Sequence, residues 1–407
     1  MARNEQDCLV ILQIAARRVA ITVAWRDEDG EQVVAHRHIE CLWHQLDTAG
    51  RRQALHDCLQ LGAETAGVEI LSVFVALADP TLRANFATGY ADLGEQMVMT
   101  RAERSLALIR ATHQAIGTDR QVLHALPQRW EVRSLDGDRE VDDPVGQTGI
   151  RLTCHVLLVT MARSALAEIE QQLADMGVHV ESVIAQPVGL YRGLRSHLAK
   201  RGSTLIIDCG ARFTSLLVHR KSRLVHVETH AFGGDDITRA LVDGLGLPWE
   251  RAEAIKREVD VARELRHQEV EGQTYLWREV QERQQQAGPS SRICTDAIRA
   301  FFNDRARHLR ELELLAQTGR IHLVGRAATL SGLPQVLEDI FKLDVVLGTA
   351  KADRDASHEM SDLLTAGLVR QAAIERERHL AERQSSGIRQ VTNVASGLLG
   401  WLLTPLR

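Results

Sequence analysis

Asp208 and Gly210 follow an apolar, strand-like run in this 407-residue chain and could lie against a phosphate group. A carboxylate at a strand end beside a glycine can hold a metal-bound phosphate next to backbone N–H donors. The same pair of residue types is also common in ordinary turns. The pair therefore suggests a phosphate site without establishing one.

Two further turns place glycine between an apolar strand and a helix. Gly233 and Gly234 precede Asp235, where a helix is expected to begin, and Gly325 follows a later strand-like run. Asp235 fits a helix N-cap as well as it fits a ligand-binding role. Three such turns are suggestive, but they do not decide a function.

The elements that must position these turns alternate between short apolar strands and longer helical patterns, which is typical of an α/β protein. The opening of the chain is repeated midway, with two strands meeting at a tight turn, then a third strand and a helix. The predicted strands of the first copy are Leu9 to Ile14, Val19 to Trp25, Gln32 to Glu40 and Glu69 to Ala78, with a helix over Arg51 to Ala66. Those of the second copy are Thr204 to Asp208, Phe213 to His219 and Arg223 to Thr229, with a helix from Asp235.

Between and after the two copies the pattern predicts further elements. Residues Arg83 to Val180 are predicted to form an inserted subdomain with helices over Arg101 to Ile116 and Ala162 to Met176 and strands over Gln121 to Leu126 and Arg151 to Thr160. Helices are expected from Trp249 to Thr318 with a polar break at Gln284 to Ser291, followed by the strand Ile321 to Val324 and the helix Thr329 to Phe341.

The composition describes a soluble globular protein with 44% apolar and 25% charged residues and a formal charge of −5. That charge provides no basic field for nucleic acid, so nucleic-acid binding is not expected. The six cysteines lack C-x-x-C spacing, which predicts free thiols in a reducing compartment and no metal site. Residues 1–7 have no apolar signal-like core, and the body of the protein is predicted to be cytosolic.

The last twenty residues carry an apolar stripe at steps of three and four, as one face of an α-helix would. This helix is too short and too amphipathic to span a bilayer, but it can lie in the headgroup plane. Docking on the protein's own body is the alternative. The residues predicted to bind the membrane are Val394, Leu398, Leu399, Trp401, Leu402, Leu403, Leu406 and Arg407.

Three segments resemble the FtsA family of bacterial cell-division proteins, which are membrane-tethered relatives of actin. The segments are Leu123-His124-Ala125-Leu126-Pro127-Gln128, Asp143-Pro144-Val145-Gly146-Gln147-Thr148-Gly149-Ile150-Arg151-Leu152 and Arg251-Ala252-Glu253-Ala254-Ile255-Lys256. In that family the His-x-x-Pro-Gln and Pro-Val-Gly-x-x-Gly-x-Arg elements belong to an extra subdomain that other actins lack. The family also carries a C-terminal amphipathic membrane helix, in agreement with the stripe described above.

The resemblance implies an actin-like (ribonuclease-H-like, duplicated) two-lobed α/β fold with an inserted subdomain of the FtsA type. The expected division is 1–80 for the first lobe, 81–182 for the insert, 183–202 for the return to the first lobe and 203–345 for the second lobe, with a helical subdomain at about 247–318. Residues 346–370 would complete the first lobe, 371–387 would form a charged linker and 388–407 the membrane helix.

The resemblance also implies a residual nucleotide site, and the chain departs from the family's pattern there. The residues of this site would be Asp208, Gly210, Gly233, Gly234, Lys256 and Gly325. At the first phosphate loop the family has an acidic residue followed by Gly and Thr or Ser. This chain has Gln13, Ala15 and Ala16 in those places, followed by Arg17 and Arg18.

The second and third loops depart as well. Ala211, Arg212 and Phe213 replace a Gly-Gly-Thr sequence, and Arg326 replaces a glycine. Only glycine lets a backbone approach a phosphate closely with unrestricted φ, so these residues disfavour ATP and Mg²⁺ as cofactors and argue more strongly against hydrolysis. No catalytic residue is predicted. The loop arginines either hold a different anion or form ion pairs within the protein.

Three interpretations follow from the resemblance. The first is a non-enzymatic adaptor that holds FtsZ or a relative against the cytoplasmic face of the bacterial inner membrane at the division site. The alternatives are a nucleotide-switched actin-like ATPase and an actin-like platform protein of a pilus or secretion machine. The resemblance also implies self-association into protofilaments and binding of an acidic FtsZ-like C-terminal peptide near Arg299, Phe302 and Arg305.

Overall fold

The computed structural model describes residues 8–27, 30–114, 117–262, 277–348, 362–378 and 380. The described strands form one sheet of five strands and one of nine. Among these residues no helix is both long and apolar enough to cross a membrane.

The five-stranded sheet forms the first lobe, in the order β3-β2-β1-β4-β9. Its strands are β1 (Cys8–Ala15), β2 (Arg18–Asp27), β3 (Gly30–Glu40), β4 (Ser72–Leu77) and β9 (His179–Ala185). The helices α1 (Thr48–Ala66), α3 (Ser164–Asp175), α4 (Gln186–Leu194) and α9 (362–378) accompany it. Short 3-10 turns occur at Trp43–Gln45 and Arg195–His197.

Strand β1 is buried on both faces of this sheet, which explains why its sequence is a nearly continuous apolar run. Leu12 and Ile14 pack in the cluster that includes residues of α1 and α3, whereas Leu9 and Ile11 pack against α9. The sheet is therefore sandwiched between two helical layers.

The other sheet combines an insert with the second lobe, in the order β14-β13-β10-β11-β12-β5-β8-β6-β7. The insert contributes β5 (Arg83–Val98), β6 (Arg120–Ser134), β7 (Gly137–Val141), β8 (Thr148–Ala162) and the helix α2 (Arg101–Gln114). Only the pair Glu228 and Arg83 joins β12 to β5 in register among the described residues. The insert strands thus continue the second-lobe strands in one sheet, through a short junction between β12 and β5.

The second lobe repeats the hairpin, third strand and helix of the first. Its strands are β10 (Ser203–Cys209), β11 (Thr214–Arg220), β12 (Arg223–His230), β13 (Thr318–Val324) and β14 (Asp344–Leu347). Its helices are α5 (Gly234–Leu245), α6 (Trp249–Glu258), α7 (Trp277–Glu311) and α8 (Leu333–Phe341), with a 3-10 turn at Arg326–Thr329. The predicted duplication is confirmed.

Four phenylalanines form the aromatic part of the second-lobe core. Phe302 is fully buried and makes edge-to-face contacts with Phe301, Phe232 and Phe341, and Phe232 stacks on Phe301 with ring centroids 4.1 Å apart. These contacts fix α7 and α8 against the sheet.

Several sequence predictions need correction. Strand β5 was not predicted, because its sequence has two glycines and few β-branched residues. Its pairing with β8 outweighs that weak local preference. The polar break predicted at Gln284 to Ser291 lies within the continuous helix α7, which contains Pro289. Ser291 and Thr295 of α7 donate hydrogen bonds to the carbonyls of Asp260 and Val261, and these tertiary contacts hold the helix despite the proline.

Two predicted boundaries also move. Helix α3 was assigned to the insert, but its residues Leu166, Ile169 and Leu173 are buried in a cluster that the first-lobe sheet and α1 share with parts of the insert and the second lobe. The predicted linker 371–387 begins inside α9, where Ala372 and Ala373 are buried against the first-lobe sheet. In both cases burial of an apolar face overrides the sequence-based division.

Candidate functional site

The turn between β1 and β2 occupies the place of the first phosphate loop. Its carbonyls at Ala16 and Arg17 accept hydrogen bonds from the N–H groups of Trp43 and Cys41, at 3.2 and 3.1 Å. Alanine at positions 15 and 16 leaves no hydroxyl at the tip of the turn. This loop is bound to its own lobe, and the backbone that carries Arg17 is fixed.

Gln13 precedes this turn and is 4% exposed. Its Nε2 donates to Oε1 of Gln186, 3.2 Å away at the first residue of α4. An acidic side chain would present a negative charge there, whereas the two amides form a neutral pair.

The second loop runs from the end of β10 to the start of β11. The N–H of Gly210 donates to the carbonyl of Phe213 at 2.9 Å and closes a tight turn. Asp208 is partly buried, and its carboxylate has no hydrogen-bond or ion-pair partner among the described residues. Burial raises the pKa of Asp208 to about 6.

Helix α5 begins against this second loop. The N–H groups of Gly234 and Asp235 donate to the carbonyls of Gly210 and Ala211, at 3.0 and 2.7 Å. The free N–H groups at a helix N-terminus are what makes it an anion site, and here they are already bonded within the protein.

Gly233 closes the N-terminus of α5. Its N–H donates to Oδ2 of Asp236 at 2.8 Å, so Gly233 and not Asp235 is the N-cap residue. A Cβ atom at Gly233 would lie 2.5 Å from the backbone of Ala211, so only glycine allows this approach. Gly233 is therefore explained by packing between the loop and the helix.

Lys256 on α6 uses all three of its protons inside the second lobe. Its Nζ donates to the carbonyl of Gly234 at 2.9 Å, to Oγ1 of Thr238 at 2.8 Å and to Oε2 of Glu253 at 2.6 Å. Burial alone would raise the pKa of Glu253, but the hydrogen bonds from Lys256 and Thr238 lower it to about 2. The lysine is satisfied without a ligand.

Gly325 begins the third loop with φ of 88°, in the region that favours glycine. A Cβ atom there would lie 2.4 Å from the carbonyl oxygen of Cys209 and 2.6 Å from Oδ1 of Asp208. The third loop therefore packs directly on the end of β10. The structure places Asp208 and Gly325 against each other, and the hydrogen bond from Gly234 to Gly210 connects the second loop to the group formed by Gly233, Gly234 and Lys256. Binding of a nucleotide by these residues stays a prediction.

A contact that sequence reasoning missed connects the two lobes across this site. Nη2 of Arg17 lies 2.5 Å from Oδ1 of Asp235, and the two side chains are 28% and 14% exposed. Burial alone would lower the pKa of Arg17, but the Asp235 carboxylate raises it. The partners are 218 residues apart, so no local signal could have paired them. The interpretation of Arg17 as part of an ion pair is supported.

The groups that would hold a phosphate between the lobes are engaged within the protein. The N–H groups of Gly234 and Asp235 and the ammonium of Lys256 are bonded within the protein, and carboxylates stand at positions 235 and 236. Negative charge at a helix N-terminus repels a phosphate. The described residues also contain no group of three or more His, Cys, Asp or Glu side chains arranged to hold a metal ion.

The residues predicted to bind a partner are placed differently from one another. Phe302 lies in the core at 0% exposure, so it is not available as a surface contact. Nη2 of Arg299 forms an ion pair with Asp339 at 2.7 Å, and Arg305 pairs with Asp304. Binding at Arg299 and Arg305 stays a prediction. All eight predicted membrane-binding residues lie outside the described residues.

The His-x-x-Pro-Gln element on β6 connects the insert to both lobes. Nδ1 of His124 lies 2.9 Å from Oε1 of Glu375 on α9, and Nε2 accepts a hydrogen bond from the N–H of Ala185 at 3.0 Å. Nε2 of Gln128 donates to the carbonyl of Leu224 on β12 at 3.1 Å. The element is thus a structural junction.

Two family models match this chain. The model described as Cell division protein FtsA matches residues 205–367, and the model described as SHS2 domain inserted in FTSA matches residues 82–160. Together the two ranges span more than half of the chain.

Curated relatives agree with these models. Cell division protein FtsA of Enterococcus hirae is 28% identical over 307 residues, which cover 72% of this chain and 66% of that protein. FtsA of Agrobacterium fabrum is 27% identical over 308 residues, with 72% and 68% covered, and FtsA of Rhizobium meliloti is 31% identical over 191 residues, with 47% and 42% covered. The chain spans about two thirds of the length of the first two relatives.

Among solved structures, a chain of the PilM-PilN type IV pilus biogenesis complex has a TM-score of 0.58 and 16% identity, with 91% of this chain and 99% of that chain covered. At this identity the likeness concerns the fold alone. It confirms the actin-like architecture, and the SHS2 match identifies the inserted subdomain. The chain belongs to the FtsA family of actin-like cell-division proteins.

Proposed function

We propose that this protein is a cell-division adaptor that tethers an FtsZ-like partner to the cytoplasmic face of the bacterial inner membrane, without a requirement for bound nucleotide. The observation that carries the proposal is the match of both the insert and the second lobe to FtsA models, in a chain whose donors at the phosphate loops are already bonded internally. An adaptor needs a partner surface, a lipid anchor and a rigid body between them, and none of these requires hydrolysis.

The partner surface is proposed at the C-terminal half of α7. A surface cavity of about 580 Å³ lies beside the end of that helix, and it is lined by one arginine, one glutamate and four apolar side chains. Its lining residues are Arg310, Glu313, Leu315, Ala316, Phe341 and Leu343. This mixture suits an acidic, partly apolar peptide such as an FtsZ-like C-terminus. Arg299 and Arg305 on the same helix are paired with Asp339 and Asp304, and they would bind the peptide by exchanging these partners for its carboxylates.

A peptide-binding measurement tests the partner surface. Arg299→Glu combined with Arg305→Glu should weaken binding of a fluorescent FtsZ C-terminal peptide at least tenfold, because both substitutions reverse charge. Arg370→Glu on α9 makes the same change at an exposed position in the first lobe and should leave affinity unaltered. Equal affinity for the double variant and the control would remove α7 as the partner surface.

Liposome sedimentation tests the anchor. A chain ending at Gln384 should remain folded and stay in the supernatant. The full chain with Trp401→Glu and Leu402→Glu should also stay in the supernatant, because both substitutions place a charge in the apolar stripe. Gln390→Glu with Thr392→Glu adds the same charge to the predicted polar face and should still sediment. Sedimentation of the truncated chain like the intact one would exclude the anchor.

Two alternatives remain testable by the same reagents. The structural likeness to a PilM chain is compatible with a platform role in a pilus machine, although the match to an insert model specific to FtsA favours cell division. Retention of the FtsZ peptide supports the adaptor, whereas retention only of a pilus component would support the platform. A nucleotide-switched ATPase would require measurable turnover.

Self-association into protofilaments is also proposed, because the family resemblance implies it and the contacts would lie at the lobe ends, away from the cleft. Electron microscopy on lipid monolayers should show filaments without added ATP. Isolated particles at every protein concentration would contradict this part of the proposal.

A further inference from the structure

The two lobes are joined at opposite ends of the β10–β11 hairpin. At the base, the hydroxyl of Tyr191 lies 3.1 Å from Nδ1 of His219, and Nε2 of His219 lies 3.0 Å from the carbonyl oxygen of Ala199. Tyr191 is 4% exposed and His219 is 1% exposed. These buried contacts provide a fixed base between the lobes.

The gap between the lobes where the first and second phosphate loops face each other is called here the cleft. Its mouth lies at the other end of the same hairpin. Thr204 pairs with His219 at the base, and Cys209 pairs with Thr214 next to the second loop. Five residues of strand separate these two levels, which corresponds to roughly 17 Å. Because the base is fixed, opening would separate the lobes mainly at the mouth. A contact at the mouth therefore limits opening of the cleft.

The contact at the mouth is the ion pair between Arg17 and Asp235, called here the cleft ion pair. Arg17 is carried by a turn whose carbonyl at position 17 is bonded to Cys41. Asp235 lies in the first turn of α5, and its own N–H donates to the carbonyl of Ala211 in the second loop at 2.7 Å. Because both backbones are fixed, the ion pair ties the first loop to the second.

The charges on each side of the cleft explain why this contact is favourable. The second-lobe side presents Asp235, with Glu253 nearby, and both favour the charged form of Arg17. The Glu253 charge is also balanced by Lys256 at 2.6 Å. At Arg17 and Asp235 opposite charges thus face one another where a nucleotide phosphate and its metal would otherwise bridge the lobes, whereas Arg326 of the second lobe lies near the like-charged Arg18 of the first.

We infer that the cleft ion pair holds the two lobes closed in place of a bound nucleotide. The inference concerns the relation between the lobes and does not depend on the partner or membrane roles proposed above. It also gives a role to Arg17, which directly follows the positions of the first phosphate loop. Because the pair is partly exposed to solvent, closure should be weakened by high salt.

Distance measurements between the lobes test the inference in the full chain. Spin labels at Gln60→Cys on α1 and Glu250→Cys on α6, in a Cys8→Ser and Cys41→Ser background, report one distance across the cleft. The parent should give a narrow distribution. Arg17→Asp places two carboxylates face to face and should shift the distribution to longer distances and broaden it.

The charge-swapped variant Arg17→Asp with Asp235→Arg is the decisive comparison. It should restore the narrow distribution, because it rebuilds the ion pair with reversed polarity. Arg26→Asp breaks the exposed first-lobe pair with Glu377 and should leave the distance unchanged. About 1 M salt should broaden the parent distribution and have little effect on Arg17→Ala.

Two results would overturn the inference. One is an unchanged distance distribution in Arg17→Asp while its circular dichroism remains that of the parent. The other is equal broadening in the single and the charge-swapped variants, which would show that disturbance of the local structure and not loss of the ion pair opens the cleft. Failure of the liposome or peptide experiments would leave these distances unaffected.

Discussion

Two contacts that join separate parts of this molecule differ in burial and in charge. The side chains of His124 and Glu375, which connect the insert to α9, are 0% and 3% exposed. Those of Arg17 and Asp235 at the cleft are 28% and 14% exposed. A buried polar pair cannot exchange its partner for water without a large cost, whereas a partly exposed ion pair can. The junction at His124 is therefore permanent, and the cleft is the seam that can respond to conditions.

Hydrogen bonding determines the proton position at the buried junction. Because the N–H of Ala185 donates to Nε2 of His124, the imidazole proton lies on Nδ1 and is donated to Glu375. Burial alone would raise the pKa of Glu375, but the hydrogen bond from His124 and the charge of Arg378 lower it. The carboxylate also accepts from Nε2 of Gln371 at 2.8 Å.

The largest effect is expected from His124→Ala. It leaves the buried Glu375 without its main donor and opens a small cavity, which together should destabilise the protein by ~3 kcal/mol. Urea unfolding at pH 7 measures this change. His56→Ala, at an exposed position of α1, should change stability by less than ~0.5 kcal/mol. Similar shifts for the two variants would show that the junction is not a major source of stability.

Asp208→Asn should raise the free energy of unfolding, in contrast to His124→Ala, and by a smaller amount. The folded protein holds the Asp208 proton up to about pH 6, whereas the unfolded chain releases it near the ordinary pKa of 3.8. More protons are therefore bound in the folded state between these values, and stability falls as pH rises from about 4 to 6. Asparagine should stabilise the protein above pH 6 on the order of 1–2 kcal/mol.

Glu375→Gln provides the matched control for this pH dependence. The pKa of Glu375 is lowered in the folded protein. The ionised carboxylate therefore contributes to stability above the unfolded pKa of 4.5, and this contribution is lost as pH falls through the folded pKa. Glu375→Gln should therefore lower stability at pH 7. If Asp208→Asn and Glu375→Gln changed stability at pH 7 in the same direction, the opposite pKa shifts assigned to the two carboxyls would be contradicted.

Arg17→Ala should cost at most about 1 kcal/mol, because the pair is partly exposed and screened. The loss should be seen as a lower melting temperature in dilute buffer and should nearly vanish at about 1 M salt. Arg26→Ala removes a more exposed pair and should give a smaller change. If the loss of stability in Arg17→Ala did not depend on salt, Arg17 would stabilise the protein through packing and not through its charge.

The smallest expected effect is that of Mg-ATP on the melting temperature. A ligand at 100 times its dissociation constant would add ~2.7 kcal/mol, so a well-bound nucleotide would raise the melting temperature by several degrees. We expect a shift below about 1 °C at millimolar Mg-ATP. A larger shift, or electron density for Mg-ATP contacting Asp208 and Gly325, would overturn the prediction of weak or absent nucleotide binding.

The sequence by itself determined the features that depend on local pattern and short motifs. The repeated hairpin, strand and helix follow from apolar periodicity, and the FtsA relationship follows from the His124 to Gln128 element and its companions. The glycines at 233 and 325 were correctly placed at loops because only glycine tolerates such close backbone approach.

The tertiary structure alone decided which distant residues meet. The pairing of Arg17 with Asp235 and of His124 with Glu375 joins positions 218 and 251 residues apart, and no periodicity encodes such a contact. The same holds for β5, whose strand conformation depends on β8. It also holds for Phe302, which was predicted to contact a partner although packing with three other rings buries it. Local preferences are weak compared with the burial of apolar surface, so long-range packing determined these outcomes.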